Sequence, residues 1–239
     1  MDSSLPVIDL PKELAEIKAM GWIKSMRKGD TGIGKTIETL LGIPENNHHG
    51  EPDCIYNGYE VEIKSHRANS KSMVTLFTLE PRNRALKDVP LMKKYGYTDK
   101  KGRLALKVTL VPGHFTPQNL KLVSDPVAKT ISIVDKQGNA PWVWDENDIR
   151  LKLQNICLVY AATKRINDVE YFHVESAILA LELNEPCFFR LVDRGIVKID
   201  LRMHQKDTGG SRNRGTGFRI MKWNDLMNCY KKIVNYPLN

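Results

Sequence analysis

Between Asp53 and Ser65 the chain reads DCIYNGYEVEIKS, and the Asn57-Gly58 pair at its centre leaves little choice of local structure. A two-residue hairpin loop that follows the twist of its strands needs left-handed backbone at both positions, which Asn and Gly tolerate best. The flanking residues are rich in aromatic and β-branched types and alternate in polarity, so the segment predicts two strand pieces folded back on each other. In EVEIK a period of two puts Glu60, Glu62 and Lys64 on one face, with Val61 and Ile63 on the other. One face is thereby committed to a core, while the other presents an acid and an ammonium side by side.

Around this hairpin the expected elements alternate in type. Pro11 with Leu14, Ile17, Lys18 and Trp22 reads as a short amphipathic helix with Pro at its start, and Thr31 to Leu41 as a second helix ending at Gly42. SMVTLFT, residues 72–78, reads as a further strand. From about Glu80 to Lys129 the weak periodicity predicts a separate lobe or large insertion, followed by a hairpin of TISIVD and APWVW around KQGN. Asp145 is placed to cap a helix over ENDIRLKLQN, and ICLVYAA is apolar enough for a central strand buried on both faces. IVKIDLRM alternates, with Val197, Ile199, Leu201 and Met203 facing one way and Lys198, Asp200 and Arg202 the other. HQKDTGGSRNRGTG is expected as a loop, GFRIM as a last short strand and WNDLMNCYKKIV as a closing helix. No repeat appears, and the mixed order of elements gives an α/β or α+β class with a mixed central sheet.

A chain of 239 residues can bury one good core, as a single domain or as two lobes sharing a sheet. Lys and Arg total 36 against 28 Asp and Glu, a net charge of +8 that favours a polyanionic partner through phosphate contacts and counterion release. Cys54, Cys157, Cys187 and Cys229 lie far apart with no C-x-x-C pair, a spacing that suits neither a zinc site nor a disulfide framework. Reduced thiols in a cytoplasmic protein are the expectation. The N-terminus is amphipathic, and nowhere is there a run of about 18 apolar residues of the kind a membrane-spanning helix needs, so a soluble, unexported protein is expected.

Asp53 stands on the strand piece before the turn, where a hairpin brings its carboxylate beside Glu62. Mg²⁺ takes oxygen ligands and retains waters, so Asp53, Glu62, a backbone carbonyl near Ile63 and a phosphate oxygen would make a sensible shell. Such a metal acidifies a bound water and polarises a phosphoryl oxygen, while Lys64 orients the nucleophile and offsets charge growing in the transition state. The pattern points to phosphodiester hydrolysis, with Asp53, Glu62 and Lys64 catalytic and Asp53 and Glu62 on the metal. Glu38, inside the second helix, either reaches the same metal from the side or faces solvent. The plain alternative for the whole motif is a surface hairpin with solvated charges.

A competing motif lies upstream. Gly29 to Thr36, GDTGIGKT, fits the G-x-x-x-x-G-K-T loop that cradles nucleotide phosphates, with Lys35 on the phosphates and Thr36 on Mg²⁺. That loop must leave the end of a buried apolar strand, whereas here it follows GWIKSMRK, with three basic residues in its last five. A flexible basic loop touching DNA phosphates through Lys28 and Lys35 is the preferred reading.

In order along the chain stand GDTGIGKTIETLLGI, ENN, Pro52-Asp53, EIKSH, TLFT, IDLR and GTGFRI. Together they resemble the MvaI/BcnI family of type II restriction endonucleases, relatives of the mismatch-repair nicking enzyme MutH. The likeness is densest over residues 20–80 and 190–222. It implies a PD-(D/E)XK nuclease core with a mixed central sheet flanked by helices, a DNA-recognition lobe, Mg²⁺ as cofactor, duplex DNA as partner, and a monomer that cuts one strand at a time. On this resemblance Asp53, Glu62 and Lys64 fall on the family's catalytic acid, acid and lysine, and Glu38 on the helix glutamate associated with metal in the MutH-like group. Eight residues separate Asp53 from Glu62, more than in the pattern the chain resembles, and the Tyr56-Asn57-Gly58 turn is expected to absorb them. The corresponding domain expectation is a catalytic lobe over 1–80 completed by about 150–200, an insertion or recognition lobe over 81–149, and a recognition loop, last strand and closing helix over 201–239.

Sequence readout in duplex DNA favours Arg bidentate to guanine, and the loop from His204 to Arg219 supplies Arg212, Arg214 and Arg219 with glycines that permit close approach. Arg202 joins them as a DNA-binding residue, and each of these arginines reads bases or holds phosphates. Family members recognise sites of the form CC-N-GG, and Thr78 in TLFT matches the branch accepting A or T at the centre, so a CCWGG-like site is expected. His48, His49 and His66 are expected as exposed residues outside the catalytic set. The resulting expectation is a type II restriction endonuclease leaving a 5′-phosphate and a 3′-hydroxyl. Its rivals are a MutH-like repair nicking endonuclease, a P-loop nucleotide hydrolase using Gly29–Thr36, and a non-catalytic DNA-binding module.

Overall fold

The computed structural model describes residues 5–29, 31–44, 52–70, 72–81, 86–150, 152 and 155–236. They fall into two compact units, the first drawn from Met1–Lys71, Leu153–Leu183 and Tyr230–Asn239, the second from Ser72–Lys152 and Asn184–Cys229.

In the first unit, α1 (Leu10–Ala19) begins at Asp9, whose carboxylate accepts from the Lys12 N–H, and Pro11 occupies its first turn, where no amide donor is missed. Leu10, Leu14 and Ile17 form its buried stripe. In α2 (Gly32–Leu40) the buried stripe is Ile33, Thr36 and Ile37. The expected hairpin is present as β2 (Cys54–Tyr56) and β3 (Tyr59–Arg67), with Asn57 at φ 48° and Gly58 at φ 80°, both left-handed as the two-residue loop requires. β3 runs parallel to β10 (Asn155–Ile166), which pairs antiparallel with β11 (Val169–Leu183); β1 (Ile23–Lys24) and β15 (Tyr230–Tyr236) also pair with β11. The sheet order is β1-β11-β10-β3-β2, a mixed sheet as expected. Ile156, Cys157, Leu158 and Val159 of β10 are buried in succession, the signature of a central strand covered on both faces. A parallel pair needs a long crossover, and here the β3-to-β10 connection contains a large part of the second unit.

The second unit holds β4 (Val74–Thr78), α3 (Asp88–Tyr95), β5 (Tyr97–Thr98), β6 (Leu104–Leu110), β7 (Leu120–Asp125), β8 (Thr130–Asp135), β9 (Trp142–Trp144), α4 (Glu146–Arg150), α5 (Glu185–Asp193), β12 (Val197–Gln205), β13 (Ser211–Asn213), β14 (Gly217–Ile220) and α6 (Trp223–Met227). Its main sheet has the order β4-β14-β12-β6-β5, with β13 also on β12, and a smaller antiparallel sheet follows β7-β8-β9. Phe77 stacks on Phe218 at 4.6 Å between ring centroids, and Trp144 meets Phe218 edge-on at 5.4 Å, an aromatic centre around which the sheet packs.

Four expectations are corrected. The closing helix over WNDLMNCYKKIV stops at Met227, and the β-branched and aromatic run from Tyr230 pairs as a strand with β11. Ser211–Asn213 is not loop but a strand folded onto Met203–Gln205. The helix after Asp145 covers Glu146–Arg150, with the Asp148 N–H donating to Asp145 as its cap, while Lys152 lies in a turn and Asn155 already opens β10, so the expected span is shortened. Cys187 and Cys229 form a disulfide, with Cα atoms 5.4 Å apart although they are separated by 42 in sequence; only Cys54 and Cys157 are free, and both are buried. Linear spacing could not reveal that pair, because the fold brings α5 beside the end of α6. Among the described residues no helix is long and apolar enough to cross a membrane.

Candidate active site

β2 begins one residue after Asp53, and the Asp53 backbone and side chain extend its pairing with β3 beyond the strand. The Asp53 N–H donates to the Val61 carbonyl at 3.0 Å, and the Ile63 N–H donates to Asp53 Oδ2 at 2.6 Å. The carboxylate is therefore held against β3 between Val61 and Lys64, beside Glu62. Lys64, two residues along the same face, donates through Nζ to Glu62 Oε1. Val61 and Ile63 are buried below, as the alternation requires. The eight intervening residues are thus taken up by a regular two-residue hairpin.

The electrostatics of this cluster are unusual for an acid. Asp53 is raised from an ordinary 3.8 to about 7, by burial first and by the charge on Glu62 next, with a smaller contribution from Glu38, against the lowering effects of the Ile63 N–H and Lys64. The adjoining Cys54 thiol is pushed up to about 12 by burial and by the same two acids, Asp53 and Glu62, so it is inert. Glu38 comes near because α2 packs on β3, where Gly34 allows close approach: a Cβ there would lie 3.2 Å from Ser65 Oγ and 4.0 Å from Glu38 Oε1. Among the described residues no three His, Cys, Asp or Glu side chains already stand together as a metal cage. The donor set nonetheless fits a hard divalent cation, since burial and the neighbouring Glu62 charge both penalise an ionised Asp53 that a cation would stabilise.

The GDTGIGKT motif does not form a phosphate loop. Gly32 to Thr36 lie inside α2, where the Lys35 N–H is spent on the Thr31 carbonyl. The buried Thr36 hydroxyl donates to the Gly32 carbonyl at 2.7 Å and accepts from the Met26 N–H at 3.0 Å, leaving it no role on a metal. Lys35 is largely buried, its Nζ 3.8 Å from Glu38 Oε2. The preceding strand, β1, has only two residues. Lys28 is exposed in the bend before the helix. His66 is half-buried on β3, edge-on to Tyr160, with its pKa lowered by burial, rather than exposed. Asp30, His48 and His49 lie outside the described residues.

In the second unit the alternation of β12 separates Val197, Ile199, Leu201 and Met203, all buried, from Lys198, Asp200, Arg202 and His204. Register adds to the polar face: Arg219 lies opposite Lys198, Lys107 opposite Arg202, and Arg212 opposite His204. Asp200 is the acid at its centre, accepting from Arg219 Nη1 at 2.7 Å and from the Thr109 hydroxyl at 2.6 Å, while Arg219 Nη2 donates to the Met73 carbonyl at 2.6 Å. Arg202 has its pKa lowered by burial and by the charges of Arg219 and Arg214. The Nε atoms of Arg202 and Arg219 are buried with no partner in the protein. Arg212 and Arg214 are exposed, and Thr78 is exposed on β4 opposite Gly217. All five predicted DNA-binding residues of this unit therefore share one sheet and its adjoining turn.

Two supporting contacts escaped the sequence reading. Arg67 grips Glu170 through two hydrogen bonds of 3.0 and 2.9 Å and donates to the Gly29 carbonyl, fixing the bend that carries Lys28. Glu80 and Asp88 hold the turn that bears Arg214. The Arg67–Glu170 pair and those of Glu80 and Asp88 with the turn are each separated by more than 100 residues, so no local pattern could disclose them.

The model of the MvaI/BcnI restriction endonuclease family matches residues 11–230. A solved structure of restriction endonuclease MvaI with its cognate DNA substrate is 28% identical, with a TM-score of 0.78 over 95% of this chain and 96% of that one. MvaI in the absence of DNA is 25% identical, with a TM-score of 0.54 over the same shares. Curated protein sequences yield no match. With the family match spanning nearly the whole chain and the nuclease fold reproduced end to end, this protein belongs to the MvaI/BcnI restriction endonuclease family and is a site-specific DNA nuclease.

Proposed function

We propose that the chain is a Mg²⁺-dependent type II restriction endonuclease that hydrolyses duplex DNA, with Asp53, Glu62 and Lys64 as its catalytic residues. The observation that carries the reading is the convergence of Asp53 on β3 beside the Glu62–Lys64 pair. Asp53 and Glu62 would hold the metal, with the Ile63 carbonyl and Glu38 as further candidates. When bound, Mg²⁺ supplies an acidified water and polarises the scissile phosphate. Lys64, oriented by Glu62, places a positive charge where negative charge develops on the phosphate. The hairpin, anchored by buried Val61 and Ile63, fixes all three groups before substrate arrives.

Base reading falls to the second unit. Arg202 and Arg219 are half-buried on one polar sheet face, and the fixed place of Arg219 against Asp200 supports a role at base edges, while exposed Arg212 and Arg214 suit either bases or phosphates. Lys28 suits phosphates; Lys35, paired with Glu38, is better placed to hold that side chain than to reach DNA. A CC-N-GG site of the CCWGG type, with Thr78 near the central pair, completes the reading, together with action as a cytoplasmic monomer.

The test is incubation of the purified protein and its Lys64→Ala variant with unmethylated plasmid, in Mg²⁺ and in EDTA, followed by sequencing of fragment ends. Discrete fragments with 5′-phosphates from the wild type in Mg²⁺ only, slowed about 100-fold or more in the variant, are expected. Intact DNA over a range of sequences and salt concentrations would refute the proposal. Persistent single-strand nicks without double-strand cuts would indicate a repair-type nicking enzyme instead.

A further inference from the structure

Arg214 sits in a turn held by two acids that contribute nothing to the catalytic hairpin. Glu80 Oε1 accepts from the Thr216 N–H at 2.7 Å, the Thr216 hydroxyl at 2.8 Å and the Asn213 side-chain amide at 3.4 Å. Asp88 accepts from the Ser211 hydroxyl at 2.8 Å and from the same Asn213 amide at 3.2 Å. Asn213 in turn receives the Gly215 N–H at 2.8 Å, and the Leu79 N–H donates to the Thr216 carbonyl. Gly215 has a left-handed backbone, and a Cβ there would meet Thr78 at 3.0 Å. Thr216 is almost wholly buried. Across the turn, the Arg214 N–H donates to the Arg202 carbonyl at 3.2 Å, while an Arg202 guanidinium nitrogen lies 3.5 Å from the Arg214 carbonyl and packs over Gly217.

This is far more fixation than an exposed phosphate-holding loop needs. Carboxylate–amide hydrogen bonds are among the stronger ones, and these lie on both sides of Arg214. We infer that Glu80 is a positioning residue for specificity: through Thr216 and Asn213 it sets the turn so that Arg202 and Arg214 share one register toward the DNA. The inference rests on the proposed DNA reading of this face. Discrimination between sites depends on holding a readout group within a fraction of an ångström, so loosening the turn harms cognate and altered sites unequally.

The test compares cleavage of the wild-type enzyme's own site, identified by fragment-end sequencing, with single-base-pair variants of that site. For Glu80→Ala, the ratio of cognate to altered-site kcat/KM falls about 10- to 100-fold, the value of one bidentate base contact. Glu80→Gln keeps an acceptor for Thr216 and restores most of the ratio. Thr216→Val, which removes one donor and little volume, lowers it less than Glu80→Ala does, and serves if that variant does not fold. Parallel loss on all sites, or an unchanged ratio in folded Glu80→Ala or Thr216→Val, would overturn the inference while leaving the nuclease reading intact. A wild-type protein that cuts no DNA would overturn the functional reading and this inference with it.

Discussion

The raised pKa of Asp53 links metal, protons and stability in a way that can be measured without DNA. With no metal bound, burial and Glu62 hold this carboxyl near 7. A cation needs the ionised form, so binding at pH 6 must displace nearly a full proton, and at pH 8 only about a tenth of one. Apparent affinity should therefore rise about tenfold from pH 6 to pH 8, most steeply below 7. The stability effect has the opposite sign. A carboxyl whose folded pKa exceeds its unfolded value binds a proton that the unfolded chain has released, so the metal-free protein loses stability as pH climbs from about 4 to 7, by up to about 1.4 kcal/mol per pH unit. Above 7 that loss is complete and only a bound cation offsets it. Calorimetric titration of Ca²⁺ or Mg²⁺ in two buffers of different ionisation enthalpy reads the proton count, and urea unfolding with and without metal reads the stability. Asp53→Asn should abolish the pH-dependent proton release and raise metal-free stability at pH 8, while eliminating cleavage. Equal proton release at pH 6 and 8, or metal-free stability that rises between pH 4 and 7 with no opposing contribution removed by Asp53→Asn, would refute the assignment.

Three further outcomes test other parts of the structure. Unfolding the protein without reductant should expose two titratable thiols, Cys54 and Cys157, and reducing the Cys187–Cys229 bond should destabilise the second unit by up to about 4 kcal/mol, given its 42-residue separation; four thiols would disprove the bond. Thr36→Val should cost about 1–2 kcal/mol in urea unfolding, because the Met26 N–H loses its acceptor, with no change in nucleotide binding since none is expected; measurable ATP binding lost in the variant would revive the phosphate-loop reading. Arg67→Ala should destabilise the first unit by about 1–3 kcal/mol and increase proteolytic cleavage after Arg27 or Lys28, because the bend loses its tie at Gly29; unchanged limited proteolysis would count against that role.

What the sequence made legible was whatever depends on spacings of two to four residues. The Asn57-Gly58 hairpin, the stripe of α1 and the two-faced β12 are local patterns, and each appears where its period placed it. The GDTGIGKT motif shows the converse limit. Its letters match a phosphate loop, yet Gly32 is there because a Cβ would come within 2.2 Å of the Arg27 carbonyl, and Gly34 because α2 must approach β3. The same residue types serve helix packing here and phosphate contact elsewhere, and only the surrounding strands tell which. The C-terminal error has a similar origin: Tyr230–Tyr236 has no partner within reach in sequence, and its strand state follows from the edge of β11 that it joins.

The polar assignments divide along the same line. That Glu62 and Lys64 share a face followed from alternation alone, but the raised pKa of Asp53 follows from its burial and from the closeness of Glu62, which a hairpin prediction allows without fixing. In the second unit, the sequence marked the arginines but not what orients them. Asp200 ties Arg219, Asp88 ties Ser211 and Asn213, and Glu80 ties Thr216, each acid meeting its partner through sheet register or a return of the chain. A cationic loop can hold any phosphate backbone; it becomes a reader of bases only when its side chains have few places to go. On the proposed reading of this face, the acids that restrict the arginines belong to specificity as much as the arginines do, and a search for base-reading residues that weighs positive charge alone would pass over them.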